Sequence, residues 1–487
     1  MTTTNPESVS TSTATRPDPP AVVASRGTLL VVLTGVFMTT LDFFIVNVAI
    51  PSTQKDLNAS AAAIQWFVAG FGLAYGVGLI TGGRLGDLYG RRRMFSVGLI
   101  LFTLASLACG VAPTAGFLVG ARVAQGIAAA LLAPQVLAIL RTAFTGLAQA
   151  KAFSAYGLTM GLAAVFGQLI GGLLIQANIA GTSWRACFLI NIPIGIIALL
   201  FVPKFVPESR APGRPKFDLG GVVLITLALV ATVLPLIQGR QQGWPMWTAL
   251  CGIGAVLLFV LFGGYENMLA RREGSPLVNL ALFRERAFTV GLLAQLVFWM
   301  GQASFFLVFA LYVQAGRGLD ALGAGLIFVA IGVGYLVTST NAHHLARKLG
   351  HQVLALGGVV MAVGLVLLEV TVSRIGVGGN IAWLIPGLVL DGAGMGMAVA
   401  PLAVTVLARV TPQHAGAASG VLATALQIGN ALGVAIIGVI FYTTLGAAPT
   451  HDSYSHAFTQ SLLYSIGVGI ALALLVQLLP RPKPAAK

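Results

Sequence analysis

Long apolar runs, each about the length of a membrane span and separated by short polar stretches, recur along this chain. They fall near 27–50, 61–82, 95–111, 116–140, 154–176, 187–205, 219–238, 250–265, 288–314, 322–341, 354–372, 381–407, 415–443 and 461–479. A membrane-spanning helix uses about 20 predominantly apolar residues, so the pattern predicts fourteen spanning helices. An even number of crossings puts both ends on one side. Residues 1–26 are rich in Thr, Ser and Pro and hold no apolar run, and they read as a disordered tail. No basic start leads into a short apolar core with a small-residue cleavage site, so 27–50 reads as a full span and not a leader.

Composition agrees with the pattern. Of 487 residues, 57% are hydrophobic and only 9% charged, against roughly 25% charged in a soluble globular protein. That excludes a soluble enzyme, a secreted disulfide scaffold and a nucleic-acid-binding module. The net charge of +14 changes the picture only through its distribution. Lys55, Arg185, Arg240, Arg317 and Arg374 fall in one set of alternate loops, and Arg122 lies inside a run. Every other Lys and Arg falls in the opposite set of loops or in the tails. Basic residues concentrate on the cytoplasmic side of membrane proteins, so both termini are expected in the cytoplasm. The protein is expected in the lipid bilayer of the cytoplasmic membrane, as a monomer, with no nucleic-acid partner. Cys109, Cys187 and Cys251 are too scattered for a disulfide framework or a metal site and read as packing residues.

An internal repeat runs through the chain. Residues 41–46 (LDFFIV) echo 303–308 (ASFFLV), 83–90 (GRLGDLYG) echo 343–350 (HHLARKLG), and Gln168 with its following glycines echoes Gln427, all at nearly one offset. Eight spans separate the copies. The expected division is a tail over 1–26, a six-helix bundle over 27–205, a linker with two extra spans over 206–287, a second six-helix bundle over 288–479 and a tail over 480–487. Parallel repeats of this kind place a substrate site between the halves near the bilayer midplane.

Nothing in the sequence matches a phosphate-cradling GxxxxGK[ST] loop. Gly392, Gly394 and Gly396 lie inside a span with no preceding strand, so they read as helix-packing positions. Energy is therefore expected from an ion gradient or from the substrate's own gradient, with no cofactor. Ionisable residues inside apolar spans are costly and mark function; here they are Asp42, Arg122 and Asp391. Glu266 and Glu369 are close enough to span ends to be expected in contact with water. At about 1.5 Å of rise per residue, Asp42 and Arg122 lie at matching depths, roughly 11 Å and 9 Å from the outer surface, and Asp391 is roughly 16 Å deep. An acid and a base at one level hold each other ionised, and separating them lets the acid take up a proton.

At these residues the sequence resembles the major facilitator superfamily, in particular its fourteen-span drug:proton antiporters. The likeness covers nearly the whole chain after the tail. It rests on 41–51 (LDFFIVNVAIP), the 83–93 segment (GRLGDLYGRRR), Arg122-Val123-Ala124-Gln125-Gly126, and Trp184-Arg185 with Phe188, Asn191, Pro193 and Gly195. It implies an all-α integral membrane fold of two pseudo-symmetric six-helix bundles plus two inserted helices. It also implies a proton-coupled exporter of small drug-like compounds, in which Asp42, Arg122 and Asp391 serve coupling. Gly83, Asp87, Gly90 and Arg91 would form an intracellular latch, with Asp87 docking near Ala415 at the start of the thirteenth span. Gly83 and Gly90 would allow the tight turn. The resemblance is not uniform: Gln168 stands where that branch usually has proline, and Arg347 stands in the second half where Asp87 stands in the first.

Gly157, Gly161, Gly167, Gly171 and Gly172 form a small-residue ridge suited to close helix packing. Asn47, Gln125, Gln302, Gln427 and Asn430, with the aromatics Phe44, Trp66 and Trp299, are expected to line a mostly apolar central cavity. Members of the resembled family that export dications often carry acids in spans ten and thirteen. Here the tenth has none and the thirteenth offers Gln427 and Asn430, so the resemblance implies monocationic, neutral or amphipathic cargo rather than dications. The competing readings are a transporter of the same fold dedicated to one native metabolite, lipid or antibiotic, and a membrane sensor or scaffold that moves nothing. No His-rich or carboxylate cluster suggests an enzyme.

Overall fold

A computed structural model describes residues 25–210, 218–272, 276–278, 280–407, 415–446 and 448–480. Most of the expected N-terminal tail and nearly all of the C-terminal one lie outside the described residues. The chain forms fourteen helices long and apolar enough to cross a membrane. We number them by span: α1 (Arg26–Leu57), α2 (Ala61–Tyr89), α3 (Arg91–Gly110), α4 (Ala115–Ala143), α5 (Gly146–Ala177) and α6 (Ser183–Phe205). The inserted pair is α7 (Leu219–Gln238) and α8 (Met246–Arg271). The second set is α9 (Arg286–Leu311), α10 (Ala321–Leu349), α11 (Gln352–Ile375), α12 (Ile385–Leu407), α13 (Ala415–Leu445) and α14 (His451–Gln477).

Local chemistry sets the helix ends. Ser25, Ser60, Thr114 and Asp320 each accept a hydrogen bond from a backbone N–H of the first turn that follows, satisfying donors that have no partner inside the helix. Thr450 and Ser453 form a reciprocal capping box at α14. Asn58 closes α1 in the left-handed region. Asn58 and Ser60 are thus the two caps of one tight turn.

The helices pack into two bundles. In the first, α2 lies along α4, α3 along α4, and α1 along α5; in the second, α10 and α11 lie along α12, α9 along α13, and α11 along α14. Two pairs make the main contacts between bundles, α5 on α10 and α2 on α13, with smaller contacts of α1 on α9 and α10. The two main pairs are counterparts under the internal repeat, which is why they occur together. Helix α7 docks against both α2 and α13, whereas α8 packs mainly on α7 and turns Leu250, Ile253, Val256, Leu257, Val260 and Leu261 outward, exposed to lipid. Cys109 and Cys187 are buried as expected; Cys251, on α8, is only partly so.

The apolar core is not shared equally between the two membrane faces. On the face away from the termini, one cluster joins both bundles: Phe44, Ile45 and Ile50 of α1 and Phe67 of α2 with Phe305, Phe306 and Phe309 of α9, Phe328 of α10, Phe441 of α13 and Phe458 of α14. On the termini face there are two clusters. One holds Val32, Phe95, Leu132 and Val202 of the first bundle; the other holds Phe288, Val353, Leu402 and Val476 of the second, with Ile80 of α2 at its margin.

Two expectations are corrected here. The segment 83–89 is not a loop: α2 runs unbroken to Tyr89, and only Gly90 takes a positive φ, +107°. Gly83 is helical, and a Cβ there would make only ordinary contact with Pro134. The close approach belongs to Gly82, where a Cβ would collide with the carbonyl of Ala130 on α4. Glu266 is not solvated but fully buried, because the chain after α8 folds back over it. Glu369 is half-exposed and accepts a hydrogen bond from Ser373.

Candidate functional site

Asp42 of α1 and Arg122 of α4 meet in the middle of the first bundle. Both are fully buried and ion-paired, Arg122 Nη1 on Asp42 Oδ2. Around them is a closed set of donors and acceptors. Gln125, one turn on from Arg122, donates from Nε2 to Asp42 Oδ1 at 2.7 Å and to Ser106 Oγ at 2.8 Å, and accepts from Arg122 Nη1 at 2.6 Å. Asn191 of α6 donates to Asp42 Oδ1 at 3.1 Å. Arg122 Nε donates to the Phe67 carbonyl at 2.9 Å, and its guanidinium lies 4.3 Å from the centre of the Phe71 ring. Cation and ring attract each other when water is excluded.

This arrangement answers a cost. Removing two charges from water is repaid only when geometry is good and the remaining lone pairs and protons are satisfied. Asp42 receives donors on both oxygens, from three side chains on two helices, α4 and α6. Arg122 keeps one atom, Nη2, with no hydrogen-bond partner among the described residues. Because Arg122 and Gln125 both lie on α4, moving α1 relative to α4 takes both partners from Asp42 together. A carboxylate left in apolar surroundings then favours its neutral, protonated form.

Asp391, on α12, stands in contrast. It is buried, and among the described residues it has no ion pair within 4 Å and its Oδ2 has no hydrogen-bond partner. The acid therefore lies deep in the second bundle without the cationic partner that Asp42 has. At the position of the repeat matching Asp42, Ser304 donates to the carbonyls of Met300 and Gly433. Among the described residues, a buried ion pair of this kind occurs in the first bundle alone.

The residues expected around a central cavity fall into several settings. Gln125 does not line it: its amide is consumed by the Asp42 network, because its helix position turns it inward beside Arg122. Phe44 and Phe306, equivalent under the repeat, meet edge-on across the bundles at 5.3 Å. Asn47 donates back to the Phe44 carbonyl. Asn430 Nδ2 reaches Gln427 Oε1 at 3.4 Å, and Gln427 lies against Gly72 and Gly76 of α2. Gln302 contacts Met361 Sδ through Nε2 and leaves Oε1 without a partner among the described residues. Trp299 is buried in the second bundle's own core beside Phe298. Trp66 is half-buried.

The glycines of α5 serve two neighbours. Gly167 and Gly171 face Leu41, Phe44 and Ile45 of α1; Gly161 faces Tyr335 and Gly172 faces the Ala321 carbonyl of α10. Gly157 has open space where a Cβ would stand, so it is not part of the packed ridge: at that turn α5 turns Ala152, Ala155 and Tyr156 to the core and leaves Gly157 exposed. Gln168 is buried with both amide atoms unpartnered among the described residues.

At the termini face, Asp87 pairs with Arg91 at 2.9 Å across the Gly90 turn. Sequence reasoning missed Glu208. It accepts from the backbone N–H groups of Arg92 and Arg93, and a Cβ on Gly90 would strike its carboxylate. An acid at the start of α3 complements the helix dipole. Its signal was present as a rare carboxylate just past the end of α6. On the opposite face, Trp184 and Arg185 both donate to Asp56 at the end of α1, at 3.0 Å and 2.6 Å.

A sequence profile of the Major Facilitator Superfamily matches residues 32–434, and again 291–487. The chain belongs to the major facilitator superfamily. Among superfamily relatives, it is 39% identical over 450 residues to the probable actinorhodin transporter of Streptomyces coelicolor, spanning 91% of this chain and 77% of the relative. It is 34% identical over 469 residues to a puromycin resistance protein of Streptomyces alboniger, spanning 93% and 90%. Identity to the multidrug resistance protein Stp of Mycobacterium tuberculosis is 31% over 429 residues, spanning 86% and 76%. Solved structures share the fold at low identity. A POT family transporter superposes with a TM-score of 0.66 at 15% identity, over 92% of this chain and 95% of that one. A D-xylose–proton symporter gives 0.64 at 17%, over 92% and 96%. As a superfamily member, the protein is a multi-pass membrane transporter of small molecules.

Proposed function

We propose that this protein exports small hydrophobic or cationic drug-like compounds across the cytoplasmic membrane in exchange for protons, by alternating access. The observation that carries the reading is the fully enclosed Asp42–Arg122–Gln125–Asn191 network, in a chain whose relatives are named for antibiotic and multidrug export. In this reading the bundles rock about their joined far-side core. The single far-side cluster and the divided termini-side clusters correspond to a conformation closed outside and separable at the cytoplasm. Both termini are cytoplasmic, following the basic loops. A shift of α1 against α4 inside the first bundle accompanies the rocking, frees Asp42 from Arg122 and lets a proton bind; Asp391 supplies a second proton site or an anchor for cationic cargo. The protein works as a monomer and a transporter, not as an enzyme.

A second reading is favoured by one observation. Several relatives carry the name of one compound, among them tetracenomycin C and cephamycin export proteins at 32% identity. The chain could then serve one native antibiotic through the same machinery. Reconstitution in proteoliposomes with an imposed pH gradient and a panel of cationic, neutral and antibiotic compounds tests both. Gradient-driven movement of several unrelated compounds supports the broad exporter, and movement of one alone the dedicated one. Movement indifferent to the gradient overturns proton coupling.

A further inference from the structure

Outside the Asp42 network, a second group of buried acids lies where the inserted helices meet the first bundle. Asp218, the N-cap of α7, and Glu266, near the end of α8, are both buried. Asp218 Oδ1 accepts from the Gly221 N–H at 2.8 Å and Oδ2 from the Leu277 N–H at 3.0 Å. The Tyr265 hydroxyl lies beside the same turn, against Gly220. Glu266 Oε2 accepts from the Val278 N–H at 3.0 Å. Glu266 Oε1 receives no hydrogen from any N–H or hydroxyl among the described residues. It faces Asp218 instead: a Cβ on Gly221 would strike Glu266 Oε1 and Asp218 Oδ2 together. Two buried carboxylates brought this close repel each other unless one carries a proton.

The proton belongs on Glu266. Asp218 already accepts from two backbone N–H groups. Burial works to raise its pKa, but the N–H of Gly221, the Glu266 side chain and the N–H of Leu277 outweigh it, and its carboxyl stays below the usual carboxylate range. Arg84 of α2 completes the group. It donates to the Pro276 carbonyl and interacts electrostatically with Asp218, Glu266 and Asp87. Three consecutive residues of the segment leading to α9 are therefore gripped by three elements: Pro276 by α2, Leu277 by the start of α7, and Val278 by α8.

We infer that Asp218 and Glu266 share one proton, and that this protonated pair, with Arg84, is a clasp that fastens the lead-in of the second bundle to the inserted helices and the first. Arg84, Asp87 and Tyr265 are the charged or titratable groups facing the pair; the 276–278 segment contributes only backbone. With the proton in place, Asp218, neutral Glu266 and Arg84 sum to zero charge. Without it, two carboxylates oppose each other across Gly221 and one negative charge is left in a buried site. The clasp then loosens at the membrane face where the bundles keep separate cores. This holds whatever compound the protein moves.

Hydrogen exchange on the full-length protein in lipid nanodiscs tests it, read on the peptide carrying the Leu277 and Val278 amides and corrected for the intrinsic pH dependence of exchange. Wild-type protection is expected to fall about tenfold or more between about pH 6.5 and about pH 9, one protonation event shifting occupancy about tenfold per pH unit. Glu266→Gln keeps a donor facing Asp218 and is expected to stay protected across that range. Asp218→Asn, whose amide nitrogen opposite Glu266 replaces the oxygen that accepts from the Leu277 N–H, serves as the second variant and is expected to be less protected than wild type but flat with pH. Wild-type protection that does not change with pH overturns the shared proton, and so does a Glu266→Gln profile that falls in step with wild type.

Discussion

A guanidinium at zero exposure inside a membrane protein must be answered from within, and Arg122 shows how far three side chains can go. Breaking one partner of such a pair costs about 3–5 kcal/mol, because the other charge stays buried and unpaired. Arg122→Gln or Asp42→Asn alone should therefore lower thermal stability in detergent markedly. The double variant should recover a large part of that loss, since neither charge is stranded. It should nonetheless remain inactive in gradient-driven transport. A double variant that moves cargo in response to a pH gradient would remove Asp42 and Arg122 from the coupling scheme. Asp391→Asn strands no partner, so stability should change by less than about 1 kcal/mol, and its effect on transport reports on function alone.

Among the helices, glycine content alone does not decide how closely two can approach; the facing atom does. Gly82 and Gly126 bring α2 and α4 together so closely that a methyl group would enter the backbone of the neighbour. Gly82→Ala should cost about 1–3 kcal/mol by overpacking and lower the yield of folded protein. Gly157→Ala has no atom to meet and should lie within about 0.5 kcal/mol of wild type, the range usual for unpacked surface positions. Equal melting temperatures for the two variants would show that the α2–α4 contact is not set by these glycines. The Gly90 turn belongs to this level too: its positive φ and the Glu208 carboxylate beneath it leave room for no side chain.

For the molecule as a whole, one far-side core and two termini-side cores define which end can open without exposing the shared cluster. Gln314 of the π-turn after α9 donates to the Val48 carbonyl of α1 at 3.2 Å, tying the bundles on the far side. Cysteines placed at Val48 and Gln314 should form a disulfide that stops transport and that reducing agent reverses. Full transport with the crosslink intact would exclude movement of α1 against α9 at this level. A single cysteine replacing Arg92 should react with an impermeant reagent only from the cytoplasmic side of oriented vesicles, which tests the placement of the termini.

Each scale differs in what could be read beforehand. Span number and approximate limits were written in the apolar runs, because burial in lipid acts on each segment separately and needs no partner. The caps at Ser25, Ser60, Thr114 and Asp320 were equally local. Matching depths for Asp42 and Arg122 followed from helix rise alone. Their joining through Gln125 and Asn191, the helical course of 83–89, the burial of Glu266 beside Asp218 and the reach of Glu208 to α3 did not. Those depend on how each helix is rotated about its axis and how near its neighbours come, which glycine–backbone contacts in three dimensions decide. Hydropathy along one strand of text carries depth but not azimuth, so the tertiary structure alone determined which buried polar atoms face one another.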